Sequence, residues 1–210
     1  DNGQAALPPA LAMAWPGVEP LGRGTYRIGL AGWPRELTSP EKPGLCWAAA
    51  FQTALAYQSI EATQTELRDY VGARTAAPRS NKPTASWIDV LRLSGFQPRH
   101  GSQVWINLVQ WSRAGAELAG SMARGVPVVL GLADGGAGHA YVIFSVTVAI
   151  DEHDNPLLRE VSAYDPSRQT EVILTCGRLR DAAGFGAQLS PERPRRLRRP
   201  QPTPRSAIWL

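Results

Sequence analysis

Apolar positions along the 210-residue chain change their spacing near Gly125. Upstream they form runs that suit helices, and downstream they form unbroken β-rich blocks. Residues 45–57 (Leu-Cys-Trp-Ala-Ala-Ala-Phe-Gln-Thr-Ala-Leu-Ala-Tyr) are strong helix formers and apolar on almost every side, as in a helix buried over most of its surface. Pro40 and Pro43-Gly44 punctuate the chain just before it, which puts Cys46 in the first turn. Thr63-Gln64-Thr65-Glu66 is a capping box that predicts a second helix through Val71, with Gly72 beyond it. Ser86 can cap a third over 87–94, ended by Gly95. A fourth is expected over 104–124, broken near Ser112 and stopped by Gly125.

Strands follow. Residues 126–130 read as a buried strand leading into the glycine loop 134–138, and 139–150 is the longest β-rich run in the chain. A polar turn over 151–156 precedes return strands at 158–164 and 169–175. Helices first and an antiparallel sheet second is an α+β pattern. Residues 1–35, rich in Pro and Gly and without helical period, read as an extended arm crossing the surface, with a short strand over 26–30. Residues 36–190 are expected to form the main domain, helical over 36–125 and sheet-forming over 126–190, and 191–210 a basic Pro- and Arg-rich tail.

Composition narrows the function classes. Seven Trp and 43% hydrophobic residues supply surface worth burying, which argues against a disordered chain. No apolar stretch approaches the roughly 20 residues of a membrane-spanning helix. The net charge of +4 belongs to the tail: 191–210 holds six Arg against Glu192, and the body is close to neutral. A nucleic-acid partner is therefore not expected for the body, whereas the tail reads first as a solvated linker and otherwise could touch nucleic acid, anionic lipid, an acidic partner or a chaperone. Two Cys and three widely spaced His make a poor zinc set, and no metal or cofactor is expected. The chain begins at Asp1, which suggests a removed signal peptide or a larger parent polypeptide.

Three residues carry candidate chemistry. At a helix N-terminus, unpaired N–H groups and the helix dipole favour the thiolate of Cys46; the alternative is a small buried hydrophobe. His139 begins a long strand beside a glycine loop, where imidazole can face a cleft and accept a thiol proton; the alternative is a histidine satisfied by backbone groups. His100 and His153 stand in polar, turn-like surroundings. Asp165, in Tyr-Asp-Pro, has simple turn initiation as its alternative. Positions 139 and 165 are nevertheless symmetric about the polar turn at 151–156, so a hairpin there brings them within a few residues of register. A carboxylate so placed can hold one imidazole nitrogen and leave the other for the thiol.

With these residues in hand, the sequence resembles the papain-like cysteine proteases, more narrowly a bacterial branch with staphopain-type enzymes and effector proteases of plant pathogens. The resemblance rests on Cys46-Trp47-Ala48-Ala49, Gly138-His139-Ala140-Tyr141-Val142-Ile143 and Tyr164-Asp165-Pro166 in that order, and spans 38–176. It implies a helical lobe with the cysteine at the start of its central helix, packed on an antiparallel, barrel-like sheet lobe. Cys46 is then the nucleophile, His139 the base and then acid, and Asp165 its orienter. The implied reaction cleaves an amide of a protein or peptide through an acyl-thioester, in a protein expected to be secreted as a bacterial effector or toxin into a host or rival cell. A peptidoglycan amidase or endopeptidase of the same fold, or a non-catalytic binding module, are the competing readings. One departure is clear: the glutamine that such enzymes place before the cysteine is missing from 38–45, and Gln52 lies more than a turn beyond Cys46. The Cys46 backbone N–H, with Lys42, Ser39 or a residue from the arm, is the expected substitute oxyanion donor. Cys176 is expected to be a bystander in the last strand.

Overall fold

The computed structural model describes residues 17–74, 91–99, 101–134, 137–181 and 185–191. Strands β1 (Val18–Gly22) and β2 (Thr25–Gly29) form a hairpin, followed by helices α1 (Cys46–Tyr57) and α2 (Gln64–Gly72). Strand β3 (Trp105–Leu108) and a 3₁₀ turn (Trp111–Arg113) lead into helix α3 (Ala114–Ala123). The rest is β4 (Val128–Asp134), β5 (Ala137–Ile150), β6 (Pro156–Asp165), β7 (Thr170–Thr175), helix α4 (Cys176–Asp181) and β8 (Phe185–Ser190). All strands join one antiparallel sheet in the order β1-β2-β5-β4-β8-β3, with β6 and then β7 branching from β5.

Strand β5 organises this topology. Along one edge it pairs with β4 through Ala137 to Ile143 and then with β2 through Ser145 to Ala149; its other edge takes β6 from Val142 onward. The register with β6 slips at Phe144, which has no partner there, so β5 is bulged at the point where its neighbour changes from β4 to β2. The bulge is filled: the Phe144 ring stacks on Trp33 at 5.1 Å, and its carbonyl accepts the Leu30 N–H.

The unbroken apolar blocks have a simple cause. Val129, Ala140, Val142 and Tyr164 pack with Ala48, Phe51 and Leu55 of α1, whereas Val128, Leu130, Tyr141, Ile143 and Ala163 pack with Leu118, Ala119 and Met122 of α3. Both faces of the central strands are therefore buried, and side chains alternating across the pleat must be apolar on both sides. Gly115 in the first turn of α3 is required by contact, since a Cβ there would overlap the Pro156 carbonyl.

The α+β class, the helix at Cys46 and the capping box are found as expected. Thr63 Oγ1 accepts the Glu66 N–H at 3.1 Å, and the Glu66 carboxylate accepts the Thr63 N–H at 2.9 Å. Several expectations are corrected. The short strand expected over 26–30 is found as β2, but from residue 18 the supposed surface arm is a hairpin of the sheet, with Tyr26, Ile28 and Leu30 buried in the core. The separation into a helical first half and a sheet second half fails, because β1, β2 and β3 come from the first half and the two long central helices cover opposite faces of the sheet. Among the described residues the pairings trace an open, branched path rather than a closed barrel.

The long helix expected over 104–124 begins as a strand, because β8 offers a ladder to residues whose aromatic and β-branched character suits one. Strand β8 itself, with its Gly and Ala, carries little β signal of its own and is fixed by lying between β4 and β3. Cys176 opens α4 rather than sitting in a strand, and Thr175 Oγ1 accepts the Arg178 N–H there. Of the helix expected at 87–94, residues 91–94 are described, helical at Leu91 and a turn from Arg92 onward, and 87–90 lie outside the described residues, as do 1–16 and the tail beyond 191.

Integration of the hairpin is measurable. Ile28→Ala removes a fully buried side chain and should lower unfolding free energy by about 2–5 kcal/mol in denaturant titration. A neutral result would restore the surface arm.

Candidate active site

The site forms where β5 outruns β6. Pairing between them begins at Val142 and Tyr164, so His139, three residues earlier, is laddered to β4 alone through Leu132. Its imidazole is thus free on the β6 side, where the chain ends its strand at Asp165. His139 Nε2 lies 2.8 Å from Asp165 Oδ1. The symmetry of the hairpin about its polar turn is what brings them together.

Asp165 is almost completely buried, its side chain 2% exposed. Its Oδ1 also accepts the N–H groups of Ser167 at 2.9 Å and Arg168 at 3.2 Å, and Arg168 Nε stands 3.9 Å from Oδ2. Both readings of Asp-Pro therefore hold at once: the carboxylate initiates the turn, and the turn fixes the carboxylate that meets the imidazole.

Cys46 reaches the same place from the opposite direction. It opens α1, whose N-terminus has no side-chain cap and no acidic residue in its first turn. The rest of α1 is anchored, with Trp47, Ala48, Ala49, Ala50 and Phe51 all buried. The thiol hydrogen-bonds the His139 side chain and meets the backbone N–H groups of Ala140 and Trp47. With Nε2 held by Asp165, the nitrogen left for sulfur is Nδ1.

Electrostatics follow from these contacts. Burial is the largest single influence on Cys46 and opposes its ionisation, but the hydrogen bond and charge of His139 and the two N–H groups together outweigh it, so the thiol is held below its ordinary value. His139 is pushed up, first by its hydrogen bond to Cys46 and then by Asp165, against the opposing effect of burial. The two ionisations approach one another, which favours a thiolate–imidazolium pair at lower pH than an isolated thiol would ionise. The pair is reachable from solvent, since Cys46 is partly exposed and the His139 side chain is 25% exposed.

The other sequence candidates stand elsewhere. Ser39 and Lys42 are exposed and are held by their carbonyls, which accept from Gln64 Nε2 and the Leu45 N–H. His153 lies in the exposed turn, with its N–H on Asp151, and His100 is outside the described residues. Cys176 is a free thiol on α4. Gln52 is turned away, accepting from Gln64 Nε2 at 3.0 Å. Among the described residues no three His, Cys, Asp or Glu groups converge as a metal set.

Two contributors escaped the sequence reading. Gln64, 1% exposed, donates to the Ser39 carbonyl at 2.8 Å and accepts the Glu41 N–H at 2.9 Å, pinning the segment that approaches Cys46. Nothing distinguishes it in sequence from an ordinary first-turn glutamine. Tyr141 packs edge-to-face on His139 with ring centroids 4.6 Å apart. Its signal was the i, i+2 spacing, which puts two side chains on one face of a strand.

Iodoacetamide should modify Cys46 far faster than Cys176 near neutral pH, read by peptide mass spectrometry across a pH series. Asp165→Asn should move the Cys46 profile to higher pH, far enough to slow its labelling near neutral pH about tenfold. Equal, slow labelling of both thiols would refute the coupled pair. Gln64→Leu should cost about 1–3 kcal/mol of stability by chemical denaturation, because it removes two part-buried hydrogen bonds to the backbone of Ser39 and Glu41.

No protein-family model matches this chain, and no curated protein does. Among solved structures it is similar to the peptidase domain of Streptococcus ComA, a bi-functional ABC transporter involved in a quorum-sensing pathway. That similarity has a TM-score of 0.49 at 13% identity and covers 75% of this chain and 98% of that one.

Proposed function

We propose that this chain is a papain-like thiol peptidase or closely related amidohydrolase, with Cys46 as nucleophile, His139 as base and then acid, and Asp165 as orienter. The observation that carries the reading is one imidazole held at Nε2 by a buried carboxylate and hydrogen-bonded to a helix-terminal thiol.

The chemistry then runs through the sulfur. Proton transfer from Cys46 to His139 gives a thiolate that attacks the carbonyl carbon of an amide. The oxyanion of the tetrahedral adduct is met by the Cys46 N–H in the uncapped first turn of α1. His139 returns the proton to the departing amine as the C–N bond breaks, leaving an acyl-thioester. Water, deprotonated by His139, attacks that thioester; the acid leaves and the thiol is restored. Asp165 holds the ring throughout. With no glutamine before the cysteine, one oxyanion donor of the resembled family lacks its counterpart, an absence that costs about 10²–10³ in turnover where a donor is deleted. Slow hydrolysis is expected.

The substrate class proposed is a protein in an extended conformation. Incubated with an unfolded protein, the parent chain should release new amino termini. Cys46→Ala should abolish the release, and Asp165→Asn should lower it by roughly 10²–10⁴. Muropeptide release from purified sacculi without proteolysis would transfer the reading to a peptidoglycan amidase. Protein binding retained by Cys46→Ala, with no cleavage by the parent, would make the chain a binding module.

A further inference from the structure

We infer that Tyr141 is a positioning residue for the Cys46–His139 pair, setting the plane of the imidazole that the two hydrogen bonds alone leave adjustable. The inference rests on the nucleophile–base reading, but its test follows thiol ionisation and needs no substrate.

Two hydrogen bonds fix only part of the ring's placement. Nε2 is held by Asp165, and the Cys46 thiol hydrogen-bonds the same side chain, which leaves it the remaining nitrogen. Such a pair locates both nitrogens yet resists poorly a rotation of the ring about the line joining them. Rotation tilts each N–H or lone pair out of line with its partner, and hydrogen bonds weaken steeply with misalignment. A third contact off that line is needed. Tyr141 supplies it: the residue is 6% exposed, its ring centroid is 4.6 Å from that of His139, and the two planes meet at 82°.

Tyr141 is itself held in place, laddered to Leu130 and packed in the cluster beneath α3. A core residue of the sheet thereby braces a side chain that is one-quarter exposed. Edge-to-face aromatic pairs of this separation contribute beyond their buried area. Among the described residues, the ionisable and charged groups that meet His139 are Cys46 from α1, Asp165 from β6 and Tyr141 from its own strand. Arg168 lies behind Asp165.

The test compares Tyr141→Leu and Tyr141→Phe by the pH dependence of Cys46 alkylation in the full chain. The leucine variant removes the ring and should slow alkylation near neutral pH by roughly three- to tenfold, with the midpoint displaced upward. The phenylalanine variant keeps the ring and should retain the parent profile. A leucine variant that is folded by circular dichroism and has the parent profile would overturn the inference. So would a phenylalanine variant shifted as far as the leucine one, since the hydroxyl would then be responsible.

A second measurement needs only the parent and His139→Ala, which identifies the signals. The ring C–H protons of His139 should resonate well away from ordinary imidazole positions because of the Tyr141 ring current. Ordinary positions would overturn the inference even if the leucine variant did not fold. Absence of hydrolysis by the parent, with these thiol profiles intact, would count against the proposed function and leave the role of Tyr141 standing.

Discussion

The bulge at Phe144 is the constraint on which the rest of the molecule turns. A strand of 14 residues cannot keep one neighbour along its whole length here, because β4 ends its pairing where the N-terminal hairpin must begin. An extra residue at that junction bends β5 and increases its local twist. The bend divides β5 into a half that builds the core with β2 and β6 and a half that carries His139 beyond the end of β6. Trp33 and Leu30, from the segment after the hairpin, lock the junction from outside.

That division explains why the candidate chemistry sits where it does. A histidine laddered on both edges would have its neighbours' side chains on either flank; one that overhangs the sheet can be met by two partners from other elements. The partners differ in how they are held. Asp165 is fixed by the turn it initiates, and Cys46 by a helix buried on nearly every side. Backbone and core packing, rather than the triad's own interactions, therefore set the geometry, which is the arrangement a preorganised site requires.

The side on which an oxyanion would form under the proposed function is more sparsely furnished. The chain approaching Cys46 is held through Thr38 on α1, through Gln64 at Ser39 and Glu41, and through the Lys42 carbonyl on Leu45. Most of these contacts engage backbone groups and leave the exposed side chains of Ser39 and Lys42 without a defined direction toward the sulfur. The segment is pinned where a donor would have to be presented, but it presents no side-chain amide of its own.

Much of this was legible in the residues. The helix at Cys46 follows from local propensity and the prolines before it, the capping box from a four-residue pattern, and the pairing of His139 with Asp165 from the symmetry of a hairpin about its turn. These are short-range facts, settled by the chain's immediate neighbours. What the residues left undecided depended on partners far away in the chain: β3 became a strand because β8 lay beside it, β8 because it fell between two other strands, and the apparent surface arm became core because β5 had an open edge. A β-ladder joins distant segments, whereas a helix closes its hydrogen bonds within one turn, so only folding could assign the former.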